Sequence, residues 1–131
     1  MNYTIRGINA SKIASPFVKW AGGKRGIIKT LLSKIPLQFT DYYEPFLGGG
    51  ALFFELHSMV RKAYISDINK ELMLTYQAIK EQPQGLIDKL HEYSIGHSTT
   101  HYYEVRATQT LKKPIEIAAR FIYSNSVIKV A

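Results

Sequence analysis

Asp41-Tyr42-Tyr43-Glu44-Pro45-Phe46-Leu47-Gly48-Gly49-Gly50-Ala51-Leu52-Phe53-Phe54-Glu55-Leu56, followed by Lys62-Ala63-Tyr64-Ile65-Ser66-Asp67, is the stretch that decides the fold. Residues 41–44 are short and aromatic and run into a proline and three glycines, which reads as a buried strand ending in a tight loop. An apolar helix begins directly after the glycines. A second short strand covers 62–66 and ends at Asp67. Asn69 then caps a helix with Leu72, Met73, Tyr76 and Ile79 inward. Strand, glycine loop, helix, strand, acid, helix is one βαβ unit, whose crossover is expected to be right-handed.

Upstream, Ile27, Ile28, Leu31, Leu32 and Ile35 recur at helical spacing from Lys24, and Pro36 closes that helix. Residues 1–15 are polar and unpatterned and read as a flexible lead-in. Downstream the chain turns wholly helical. Pro83 opens a helix carrying Leu86, Ile87, Leu90 and Tyr93, residues 94–100 read as a polar loop, and a short helix is expected over Tyr102 to Leu111. Pro114 starts the last helix, with Ile115, Ala118, Ala119 and Ile122 on one face. Two strands cannot bury both faces of a parallel pair and are marginal alone. The expected fold class is therefore α/β, an incomplete Rossmann-like domain: the opening βαβ unit of a larger doubly wound sheet that stops early, followed by helices.

The 131 residues fit one domain, and 46% hydrophobic with 21% charged residues is ordinary globular composition, so disorder is not expected. The absence of cysteine excludes a disulfide framework and thiolate metal sites. No run approaches the roughly eighteen apolar residues of a membrane span, and the N-terminus lacks a secretory pattern, so the cytoplasm is the expected compartment. The net charge of +7 is unevenly placed. Residues 1–40 carry seven basic side chains and no acidic one, whereas 41–131 balance at ten of each. Such a segment suits a polyanion, nucleic acid first, or serves solubility alone; charge by itself does not choose between them.

The glycine run lies at the carboxyl end of the first strand, where open α/β sheets bind ligands. Glycines let a ligand approach the backbone. Asp67 follows Gly48 by 19 residues, a spacing and place suited to an acid that holds the two hydroxyls of a ribose. Together these imply an adenosine-containing ligand. The dinucleotide fingerprint does not apply, since its third glycine would fall at Phe53. Lys19-Trp20-Ala21-Gly22-Gly23-Lys24 is not a phosphate loop either, because Val18 and Arg25 stand where Gly and Ser or Thr are required. A glycine pair feeding a helix with Lys24 in its first turn can instead bind a carboxylate. Trp20 either stacks on a purine or packs in the core. His97 and His101 are four apart, but Ser98 replaces the glutamate of a zinc-protease helix, so they read as surface histidines and no metal site is expected.

Phe17 to Lys24, Tyr43 to Phe54 and Ser66-Asp67-Ile68-Asn69, in this order and spacing, resemble the opening motifs of Dam-type DNA adenine methyltransferases, the D12 class with the α order of motifs. The resemblance runs from about residue 16 to about residue 125. Ala118 to Tyr123 with Asn125 is similar to the start of that family's target-recognition segment. The resemblance implies S-adenosylmethionine as cofactor and double-stranded DNA as partner. It implies that Trp20 and Lys24 contact the methionine end, that the loop of Glu44, Phe46 and Gly48 lies beneath the methionine and ribose, and that Asp67 binds the ribose hydroxyls. It divides the chain into the lead-in, a partial cofactor-binding core at 16–80 and the helical start of a target-recognition domain at 81–131.

Two departures stand out. After Asn125 the family's aromatic-Asn-Gly stretch is replaced by Ser126 to Ala131. The Asp-Pro-Pro-Tyr type motif, which in the family holds the flipped adenine, does not occur, since the prolines at 16, 36, 45, 83 and 114 are all isolated. The expectation is an N-terminal part of an adenine-specific DNA methyltransferase, truncated or split, inactive alone and without catalytic residues. A second chain carrying the C-terminal half is an expected partner. The alternative is a non-enzymatic module that binds S-adenosylmethionine or DNA.

Overall fold

The computed structural model describes residues 14–20 and 22–125. The lead-in expected over 1–15 therefore lies almost wholly outside the described residues, as does the departure at 126–131. Strands β1 (Asp41–Glu44) and β2 (Lys62–Ile65) pair in parallel, with Asp41 opposite Lys62 and Glu44 opposite Ile65. Between them runs α2 (Ala51–Leu56), and before them a 3-10 turn (Lys24–Ile27) leads into α1 (Ile28–Lys34). The fold is thus mixed α/β. Among the described residues the sheet has two strands, accompanied by six α-helices. No helix there is long and apolar enough to cross a membrane.

The period of two along each strand sorts the side chains. Glu44, Ala63 and Ile65 are buried, whereas Tyr43, on the other face, is 67% exposed and stacks on Tyr64 directly opposite, ring centroids 4.6 Å apart. Val18, Leu47, Phe53, Leu56 and Val60 complete the buried set of this part of the chain. The isoleucine-rich segment forms its helix at the expected place, but its first turn is 3-10 and α1 buries none of its residues.

The chain divides into two compact units at Ile68/Asn69, although its length fits one domain. The second unit is helical: α3 (Lys70–Glu81), α4 (Pro83–Ile95), α5 (Thr99–Ala107) and α6 (Pro114–Asn125). Asn69 caps α3 by accepting from the Leu72 amide at 3.0 Å. Helix α6 packs on the other three. Its Ala118 and Ala119 are fully buried beside Ala78 and Leu86, with Ile79, Leu90, Tyr93, Ile115 and Ile122 around them. The alanines have no side chain beyond Cβ, so the helix backbones come close.

The helical unit departs from expectation at three places. Of the four apolar residues expected on α4, Ile87 stands apart at 57% exposed, because the buried stripe follows Leu86, Leu90 and Tyr93. The fifth helix begins at Thr99 and not at Tyr102, since the Ser98 hydroxyl accepts from the His101 amide at 3.0 Å and starts it early; it ends at Ala107, short of Leu111. His97 and His101 are half-buried against Tyr123 rather than surface residues. Tyr123 shares a hydrogen bond of 2.5 Å with His97 Nδ1 and is also flanked by Tyr93 and Tyr102.

Arg120 is the buried cation of α6, only 7% exposed. It donates to the Thr108 carbonyl at 2.7 Å and pairs with Glu71 of α3, so one guanidinium ties the α5–α6 connection to α3. Arg120→Ala should destabilise this unit by about 2–3 kcal/mol, since it removes both bonds and the packing of the stem. Glu71→Gln keeps an accepting oxygen but leaves the buried guanidinium without its counter-charge, so it should cost about 1–2 kcal/mol, less than Arg120→Ala. Urea unfolding followed by circular dichroism measures both; equal losses would show that the pair, rather than the buried arginine, carries the stability.

Candidate functional site

Glu44 is the last residue of β1 and is 4% exposed. A carboxylate withdrawn from water must be paired. The Tyr42 hydroxyl donates to Oε2 at 2.6 Å, and the Lys24 ammonium lies 2.9 Å from Oε1. Tyr42 reaches it because residues two apart on a strand share a face. Burial first, and then the Glu44 carboxylate, push the Tyr42 phenol far above its ordinary value, so it stays protonated and donating. Lys24 also donates to the Phe46 carbonyl at 2.6 Å. One ammonium therefore fastens the 3-10 turn to the end of β1 and to the loop that follows.

That loop is stitched to the end of β2 as well. Ser66 N donates to the Glu44 carbonyl at 2.9 Å and Leu47 N to the Ser66 carbonyl at 3.0 Å. The Gly48 amide donates to Asp67 Oδ2 at 2.9 Å. Gly48 has φ +54° and Gly50 φ +79°, left-handed values that side chains disfavour. Trp20 also closes on the glycines: a Cβ at position 48 would lie 3.0 Å from Trp20 Cδ1, and one at position 49 would lie 3.2 Å from the Val18 carbonyl.

Around these groups opens a cavity of about 440 Å³. Trp20, Lys24, Phe46, Gly48 and Asp67 all line it, so five of the six residues singled out from the sequence meet at one place. Glu44 does not line it but sits buried behind it, holding Lys24. Phe46 is 78% exposed at the rim. Trp20 is half-buried, packed on the glycines and facing the cavity at once. A second cavity of the same volume, at Leu37 to Thr40 and Met59, has neither a carboxylate nor a glycine loop. Tyr42 and Arg25, the latter also on the wall, were not singled out as site residues. Tyr42 could have been found from its place two residues before an inward acid. Helices α1 and α2, at seven and six residues, are too short to supply much dipole, so side chains and loop amides dominate. Among the described residues no group of three or more His, Asp or Glu is placed to hold a metal.

The sequence profile of the D12 class N6 adenine-specific DNA methyltransferases matches residues 20–129. The chain belongs to this family. It is 37% identical to the Type II methyltransferase M1.LlaDCHI of Lactococcus lactis subsp. cremoris over 82% of its own length and 39% of that protein. It is 42% identical to the Type II methyltransferase M.MjaIII of Methanocaldococcus jannaschii, over 84% of the chain and 44% of the relative. It is 30% identical to the DNA adenine methylase of Haemophilus influenzae, over 84% and 39% respectively. The chain thus spans about two fifths of the length of these relatives.

The sole tryptophan makes the glycine contact measurable. Gly48→Ala should cost about 1–2 kcal/mol, from the left-handed backbone, and should shift the emission of Trp20 as the ring is pushed from the loop. Unchanged fluorescence would place Trp20 away from Gly48.

Proposed function

We propose that this chain is the cofactor-binding part of an adenine-specific DNA methyltransferase, acting in the cytoplasm, and that the cavity at the glycine loop takes S-adenosylmethionine. The observation that carries the reading is the hydrogen bond from the Gly48 amide to Asp67 Oδ2, which holds the acid beside the loop at the end of β2. The donor set fits the group. A carboxylate suits a ribose diol, an aromatic wall suits adenine or the methionine stem, and glycines let the backbone approach. An ammonium has three donors: Lys24 gives one to the Phe46 carbonyl and forms an ion pair with Glu44, and a further donor suits the cofactor's carboxylate. The cofactor supplies an electrophilic methyl group on a sulfonium sulfur.

On this reading the chain's own residues bind and orient. Asp67 accepts from the ribose hydroxyls, Gly48 fixes Asp67, and the Tyr42–Glu44–Lys24 chain keeps the loop in place. Residues 16–80 are assigned to cofactor binding and 81–131 to the start of target recognition. The groups that hold the adenine amino nitrogen in line for transfer are assigned to residues outside these 131, because no Asp-Pro-Pro-Tyr type segment occurs among them. The 131 residues by themselves are therefore expected to bind cofactor without methylating DNA.

Calorimetry with S-adenosylmethionine tests the site. A charge-assisted hydrogen bond is worth roughly 1.5–3 kcal/mol, so Asp67→Asn and Asp67→Ala should each weaken binding by about tenfold or more. Equal affinity of all three proteins would remove Asp67 from the site, and no binding by the unsubstituted chain would remove the cofactor from the cavity.

A further inference from the structure

We infer that Arg25 and Lys29 form a phosphate-contact stripe that carries the backbone of duplex DNA along the rim of the glycine-loop cavity. Both side chains are exposed, and neither has an ion pair or hydrogen-bond partner among the described residues. Lys24, in the same turn, differs: its charge is matched by Glu44. Arg25 belongs to the 3-10 turn and Lys29 to the first turn of α1 that follows it, four residues further on.

Nothing nearby in sequence offsets them. Residues 14–40 hold Lys19, Lys24, Arg25, Lys29 and Lys34 and no acid, the first being Asp41. With Lys24 matched by Glu44, the other four cations have no acid within that segment, and such an excess is stabilised by a polyanion. Arg25 also lines the cavity, so the stripe begins at its opening. That link is the only part of the inference that rests on the proposed cofactor site. A guanidinium and an ammonium on a short helix suit phosphate oxygens, which position a duplex without reading its sequence. A membrane surface fits less well. Helix α1 has seven residues, and the strongly exposed apolar side chains that flank it, Ile27 and Leu37, are ten residues apart, which gives little continuous apolar area to insert.

The test is binding of a fluorescently labelled, mixed-sequence duplex, followed by anisotropy across a salt series. Arg25→Gln and Lys29→Gln should each reduce the slope of log K against log salt by about one, and the double variant by about two. At low salt the double variant should lose about tenfold or more in affinity. Lys70→Gln, an exposed lysine in the first turn of α3, removes one charge and should leave the slope closer to the unsubstituted value than either single variant does. Circular dichroism confirms folding, and Lys29→Gln alone keeps the test open should the double variant fail to fold. No duplex binding, a slope unmoved by Arg25 and Lys29, or an equal loss in the Lys70→Gln control would overturn the stripe. So would tighter binding to phosphatidylserine vesicles than to DNA, weakened by the same substitutions. Failure of the cofactor reading looks different: S-adenosylmethionine does not bind, while the salt slope still depends on Arg25 and Lys29.

Discussion

A carboxylate buried at the end of a strand constrains everything around it. Glu44 is withdrawn from water, and its charge is tolerable only because Tyr42 donates to one oxygen and Lys24 lies against the other. Those partners come from different places, the strand itself and the 3-10 turn twenty residues upstream. Satisfying Glu44 therefore fixes the turn against the strand end, and Lys24's further bond to the Phe46 carbonyl extends the constraint into the glycine loop. The loop is held from the other side by Ser66 and Asp67. The cavity exists because its walls are tied at both ends, rather than because a large apolar core surrounds it.

The helical unit uses the same device in another form. Arg120 lies in a helix whose alanines allow close packing, and it finds a carbonyl at Thr108 and a carboxylate at Glu71. Nearby, Tyr123 gathers two tyrosines and two histidines around its ring. Polar groups here are directed by specific bonds, which favours one packing of α3 to α6 over alternatives of equal apolar burial.

The parts of the site legible in the sequence were those set by local chemistry. Gly48 and Asp67 could be paired on paper because a βαβ unit brings the end of one strand beside the end of the next at a nearly fixed spacing. Asn69 and Pro83 announced helix starts by the side-chain oxygen one supplies and the N–H the other lacks. The Lys24–Glu44 pair was not legible, since nothing local says that an ammonium twenty residues upstream will be spent on a strand carboxylate. The same holds for Arg120, which on a helical wheel is one more cation until Thr108 and Glu71 are placed around it. His97 and His101 were misplaced because the polar residues between them suggest a loop, while the partner that buries them, Tyr123, lies some twenty residues on.

The central claim is that the loop from Glu44 to Gly50, clamped by Lys24 and Asp67, cradles an adenosine-bearing cofactor. The most direct measurement is an NMR titration of the isotope-labelled chain with S-adenosylhomocysteine. Saturable shifts of the Gly48 amide and the Trp20 indole N–H are expected, with residues of α4 to α6 little changed. Saturable shifts confined to the 69–125 unit, or no shift at Gly48 and Trp20 at any concentration, would contradict it.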